Sequence, residues 1–238
     1  MRLRLLLPVL VVALSCALGA QDNDLLPDKP AHNPATPTIT FQFEFSGANP
    51  SHYALSVDST GRAAYTSSSP QDTNSSFANA GQPPAAGDLY ATKFTLSQGT
   101  TQQVFDLAKR LKFFDGNFDY TKTRVANMGA KTLIYGDPTR HFETTFNYSQ
   151  NPDATELARL FQNISTTLEF GLRLDHDMRH QKLALEDDMK QLQEAVGHNN
   201  AAEIVLLKPM LLKIVNDTSI LHIARRRAQE LLTSTTPQ

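Results

Sequence analysis

The residues best able to carry chemistry are His176 and His180, in the run His176-Asp177-Met178-Arg179-His180. Two histidines at i and i+4 on a helix point the same way and can share one metal ion. In the zinc proteases that use this spacing, a glutamate follows the first histidine and acts as base on the metal-bound water. Asp177 stands in that place and is one methylene shorter, so it reaches the water poorly. A third ligand is also required, and Glu203, 23 residues beyond His180, is the candidate. This reading gives a metal-dependent hydrolase with zinc as cofactor and His176, His180 and Glu203 as ligands. The competing reading is an exposed helix face, because Asp175, His176, Asp177, Arg179, His180 and Lys182 crowd one short stretch. On that reading there is neither a cofactor nor a catalytic residue.

Other polar groups resolve in the same two ways. Asp115, Asp119, Tyr120 and Lys122 could line a cleft, and paired carboxylates do acid–base work when their environments separate their pKa values. Beside Gly116 and Asn117 they read more simply as turn formers. Arg225-Arg226-Arg227 could meet phosphate or an anionic membrane surface. Adjacent residues spread around a helix rather than sharing a face, which favours solvation. The sequence contains no nucleophile elbow, phosphate loop or dinucleotide fingerprint.

These groups need elements to hold them. Ile39, Phe41, Phe43 and Phe45 alternate with polar residues, the period of a strand with one apolar face. Tyr53, Leu55 and Val57 repeat the pattern. A turn at Asp58-Ser59-Thr60-Gly61 leads to a third strand over 62–66, and Tyr90 to Leu96 form a fourth. Thr100 is expected to open a helix, with Gln103 placed for a capping box and Val104, Leu107, Ala108 and Leu111 on one face. A hairpin follows over 131–148, with Phe142, Phe146 and Tyr148 on one side. The helix at 100–113 is the first candidate to cover the sheet.

From Asp153 onward the pattern is helical. Leu157, Leu160, Phe161, Ile164 and Leu168 form one stripe, and Leu185, Met189, Leu192 and Val196 another. A single helix over 153–197 would run about 65–70 Å, so Thr166-Thr167 and Gly171 are the expected places for a bend or break. Gly197 to Asn200 reads as a stop. Pro209 marks an early turn or kink in the next helix. Asp217 or Thr218 is the expected cap of the last one.

The N-terminus has the three parts of a secretory signal: basic Arg2 and Arg4, an apolar run from Leu5, and a small-residue end at Ala20. The run is too short to span a membrane. Cys16 offers a second route, a lipoprotein anchor. The organisation read from the chain is a signal peptide at 1–20, a Pro-rich tether at 21–37 and an α+β domain at 38–170. That domain carries a disordered loop at 67–88, connecting strands that pair elsewhere or crossing the sheet edge. A helical extension occupies 171–238. A net charge of −2 across 238 residues gives no electrostatic case for nucleic acid.

The segments Phe105-Asp106-Leu107-Ala108-Lys109, Phe113-Phe114-Asp115-Gly116, Gly129-Ala130-Lys131-Thr132-Leu133 and Phe146-Asn147-Tyr148 resemble a group of uncharacterised exported bacterial proteins over about 38–232. The resemblance implies export and an α+β layout, and it carries no catalytic residues. The fold expected is an antiparallel sheet of about six strands packed by helices, with a C-terminal helical hairpin or three-helix extension. The function expected is a periplasmic or extracellular, non-enzymatic protein that binds a protein or another envelope component, with no transmembrane helix in the mature chain.

Overall fold

The computed structural model describes residues 34–68 and 89–234. The signal peptide, Cys16, nearly all of the tether and the low-complexity stretch at 69–88 lie outside the described residues. Six strands form one antiparallel sheet: β1 (Thr38–Glu44), β2 (His52–Asp58), β3 (Arg62–Ser68), β4 (Leu89–Thr95), β5 (Ala130–Gly136) and β6 (His141–Phe146). Their order is β4-β3-β2-β1-β5-β6, so β1 is central and β4 and β6 are edges. Five helices accompany them: α1 (Gln98–Arg110), α2 (Pro152–His180), α3 (Leu185–Gly197), α4 (Lys208–Asn216) and α5 (His222–Ser234). The α+β class and the C-terminal helices match the expectation from the sequence.

The alternation along each strand decides which face is buried. Phe41 lies opposite Leu55 on β2 and Leu133 on β5. Ile39, Phe43, Tyr53, Val57, Tyr65 and Tyr135 belong to the same core. Both α1 and α2 cover it, through Val104, Leu107 and Leu111 and through Leu157, Phe161 and Ile164. The Phe41 and Phe161 rings stack with centroids 5.2 Å apart and planes 3° from parallel. Phe146 is buried on β6, whereas Tyr148 lies past the strand end, exposed and edge-on to Tyr120.

Three local expectations in the first part of the chain are corrected. Strands β3 and β4 are neighbours, with Ser68 opposite Leu89. The chain between them therefore joins adjacent strands, and Ser67 and Ser68 belong to β3. Helix α1 starts at Gln98 because Ser97 is its cap: the Ser97 hydroxyl accepts from the Thr100 amide. Gln103 instead donates to Glu156 on α2.

The third correction concerns α2, which runs unbroken for 29 residues, about 43 Å. The hydroxyls of Thr166 and Thr167 donate to the carbonyls of Gln162 and Asn163, one turn back, so both are satisfied within the helix. Gly171 marks a close approach, not a break: a Cβ there would lie 2.9 Å from Leu207 Cδ2. The chain reverses at 181–184, where the Gln181 amide donates to Asp177 and the Ala184 amide to Gln181.

The long helix serves two cores. From Ala154 to Leu168 its apolar residues join the sheet core. Phe170 and Leu174 join a second cluster with Leu185, Met189 and Leu192 of α3, Leu211 and Ile214 of α4, and Ala224, Ala228 and Leu231 of α5. Helix α3 stops at Gly197 as expected, and Pro209 sits in the first turn of α4. Helix α5 begins at His222, beyond Asp217, whose carboxylate instead organises the preceding turn through Ser219 and Lys182. No helix among the described residues is long and apolar enough to cross a membrane.

Candidate functional site

The helical spacing does bring His176 and His180 together, with ring centroids 5.0 Å apart. His176 Nδ1 lies 2.9 Å from Asp177 Oδ1. Glu203 is elsewhere. Its carboxylate accepts from the Ser97 amide at 3.1 Å, from the Ser97 hydroxyl at 2.6 Å and from the Thr100 hydroxyl. It thus closes the N-terminus of α1. The neighbouring Ala202 carbonyl accepts from Thr167 at 2.6 Å, and Thr167 precedes His176 by about 13 Å of helix. The expected ligand set His176, His180 and Glu203 is therefore not assembled. Among the described residues no group of three His, Cys, Asp or Glu side chains could hold a metal ion. Two imidazoles alone fall short of the three protein ligands of a catalytic zinc site.

His176 instead borders a groove where the edge of the sheet meets the end of α2. Leu89 and Tyr90 of β4, Leu172, Arg173, His176 and Asp177 of α2, and Asp188 of α3 enclose about 560 Å³. That is within the size range of small-ligand sites. Its rim is apolar, with Leu89 51% and Leu172 37% exposed. Its floor is charged. Asp188 is only 7% exposed, and its Oδ2 has no hydrogen-bond partner among the described residues.

The surroundings explain why that oxygen is left unpaired. Arg173 Nη2 comes no closer than 3.5 Å to the other oxygen, Oδ1. Its guanidinium stacks over Phe170, 4.4 Å from the ring centroid, and reaches toward Gln191 Oε1 at 3.3 Å. The remaining neighbour of Asp188 is another carboxylate, Asp177. Two carboxylates can bridge only by sharing a proton. Burial first, then a side-chain hydrogen bond with Asp177, pushes the Asp188 carboxyl up to about 6, and the charges of Asp177 and Asp187 add to the rise against the pull of Arg173.

Neither Asp188 nor its partnership with Asp177 was foreseen. A signal exists in the stripe of α3: Leu185, Met189 and Leu192 are buried, and position 188 falls on the same face. A carboxylate on an apolar face either has a partner or serves a site.

A second polar cluster lies between sheet and helix and is fully satisfied. Tyr65 donates to Glu169 at 2.8 Å, so its 2.7 Å contact with Ser165 must have serine as donor. Ser67 also donates to Glu169, at 2.7 Å. Burial first, then the Glu169 charge, pushes the Tyr65 hydroxyl far above its ordinary value. A phenol so held stays protonated, and the cluster ties β3 to α2.

Some of the remaining candidates have structural partners. Asp119 accepts from the Asn147 amide, and Asn117 accepts from the Asp119 amide. Arg227 pairs with Glu186 on α3, and Arg226 with Glu230 on its own helix. No protein-family model matches the chain, and no curated protein matches it.

Proposed function

We propose that the chain is an exported, non-enzymatic binding protein of the cell envelope, and that its ligand occupies the groove between β4, α2 and α3. The observation that carries this reading is the groove itself, an apolar rim of Leu89 and Leu172 beside the charged side chains of Arg173, Asp177 and Asp188. Asp188 sits nearly buried beside a second carboxylate, with Arg173 at 3.5 Å as its cation, a costly arrangement that suits a site better than a core. The apolar rim supplies contact area and the polar floor supplies orientation, the division of labour common in ligand sites. Export rests on the signal-like residues 1–20, with a lipid anchor at Cys16 as the alternative processing. The ligand is an envelope component. The metal-dependent hydrolase reading keeps only His176 and His180 and loses Glu203.

A photo-crosslinking residue placed at Leu172 tests this in intact cells, with one at exposed Lys109 on α1 as control. The expected result is one discrete adduct from position 172 and none from 109. Equal labelling from both, or none from 172, contradicts the reading.

A further inference from the structure

We infer that His176 and His180, at the end of α2, form a surface site for copper(II), with two protein nitrogens on the ion and its other positions taken by water or small exchangeable ligands. The site stands apart from whatever fills the groove. It needs no third side chain, so the distance of Glu203 leaves it intact.

The two rings stand one turn apart on the same side of a helix, with centroids 5.0 Å apart and planes 49° from one another. An ion at the usual ~2.0–2.1 Å from an imidazole nitrogen sits about 3.2 Å from that ring's centroid. Centroids 5.0 Å apart then subtend roughly 100° at a shared ion. Neighbouring ligands of a tetragonal or tetrahedral ion meet at a similar angle. The helix already holds this spacing, because Leu174 is fully buried in the second core and Met178 packs against it.

The surroundings prepare a ligand. His176 Nδ1 lies 2.9 Å from Asp177 Oδ1. An ionised carboxylate only accepts, so Nδ1 carries the hydrogen and Nε2 keeps its lone pair. A histidine that gives its second N–H to a carboxylate is the usual arrangement around a protein-bound metal, since it fixes the tautomer and raises ligand basicity. Both imidazoles are exposed, so an ion reaches them without any opening of the fold. The cations of this stretch are engaged, Arg173 with Asp188, Arg179 with Asp175 and Lys182 with Asp217.

The donor set selects the metal. Two imidazoles supply neither the three protein ligands of catalytic zinc nor the oxygen ligands of calcium and magnesium. Imidazole nitrogens suit copper and nickel, and copper(II) heads the affinity order of the divalent first-row ions. It also takes a tetragonal arrangement that water can complete.

The test is a calorimetric titration of the tag-free processed protein with copper(II) at pH 7.5. One copper(II) per chain is expected. His176→Ala and His180→Ala should each weaken it by roughly tenfold or more, a loss that removal of an outer-shell partner alone can reach, with circular dichroism unchanged. His222→Ala, at an exposed histidine on α5, is the control and should bind as wild type does. Paramagnetic resonance of the wild-type complex should show coupling to two imidazole nitrogens, a readout that needs no variant. No binding, a single coupled nitrogen, or equal affinity in wild type and either histidine variant overturns the inference. An equal loss in His222→Ala overturns it too. Zinc should bind more weakly and leave on dialysis; zinc retained would require a third ligand and would overturn the two-nitrogen site.

Discussion

Asp177 near the end of α2 and Asp188 in the first turn of α3 meet across the helix reversal, carboxyl to carboxyl, and a hydrogen bond between them requires a shared proton. The contact joins the second half of the long helix to the helical unit beyond it. Its energetics depend on one proton, and that dependence is measurable without knowing the ligand.

The first prediction concerns stability and pH. The folded-state value of Asp188, about 6, lies above its ordinary value of 3.8. Between those values the folded protein holds a proton that the unfolded chain has released. Stability therefore falls as pH rises from about 4 to about 6 and is flat above, by up to about 3 kcal/mol. Asp188→Asn supplies a permanent donor to Asp177 and removes the buried charge. Urea denaturation should find this variant more stable than wild type at pH 7.5 by about 1–2 kcal/mol, with the difference shrinking toward pH 4.

Glu203 is a cap, and the prediction for it follows. Glu203→Ala removes the acceptor for Ser97 and Thr100 at the start of α1. A loss of about 1–2 kcal/mol is expected from chemical denaturation. Metal content of the purified protein should not change.

The histidine pair gives the opposite expectation. His176 is more than half exposed at its side chain. The double variant His176→Ala, His180→Ala should alter stability by no more than about 0.5 kcal/mol, as exposed positions do. Zinc bound in stoichiometric amount by wild type and lost in this variant would restore the hydrolase reading.

At the sheet–helix contact, Phe161→Ala should cost about 3–5 kcal/mol, because it empties a fully buried site stacked on Phe41. Equilibrium unfolding reports this directly. The cost of Glu169→Ala should be smaller, about 1–3 kcal/mol, for leaving the Tyr65 and Ser67 hydroxyls without their acceptor.

Much of the fold was legible because alternation is a local property. Phe41 and Phe43 marked the core face of β1 before any partner strand was known, and all six strands fall where the alternation put them. Tertiary detail was harder to see. Thr166, Thr167 and Gly171 look like breakers, yet packing of α2 on both cores overrides them, and Gly171 makes room for Leu207. The actual reversal, Gln181-Lys182-Leu183-Ala184, contains neither glycine nor proline to announce it. The candidate site was half visible. The i, i+4 spacing of His176 and His180 is local and was readable. The meeting of Asp177 with Asp188 depends on how α3 folds back, and the distance of Glu203 depends on where Ser97 lies.

The most direct test of the whole account is a carbon-detected NMR titration of the Asp177 and Asp188 side-chain carboxyls in the processed protein. The account predicts that Asp188 titrates near pH 6. Ordinary titration of Asp188 near pH 4 would contradict it.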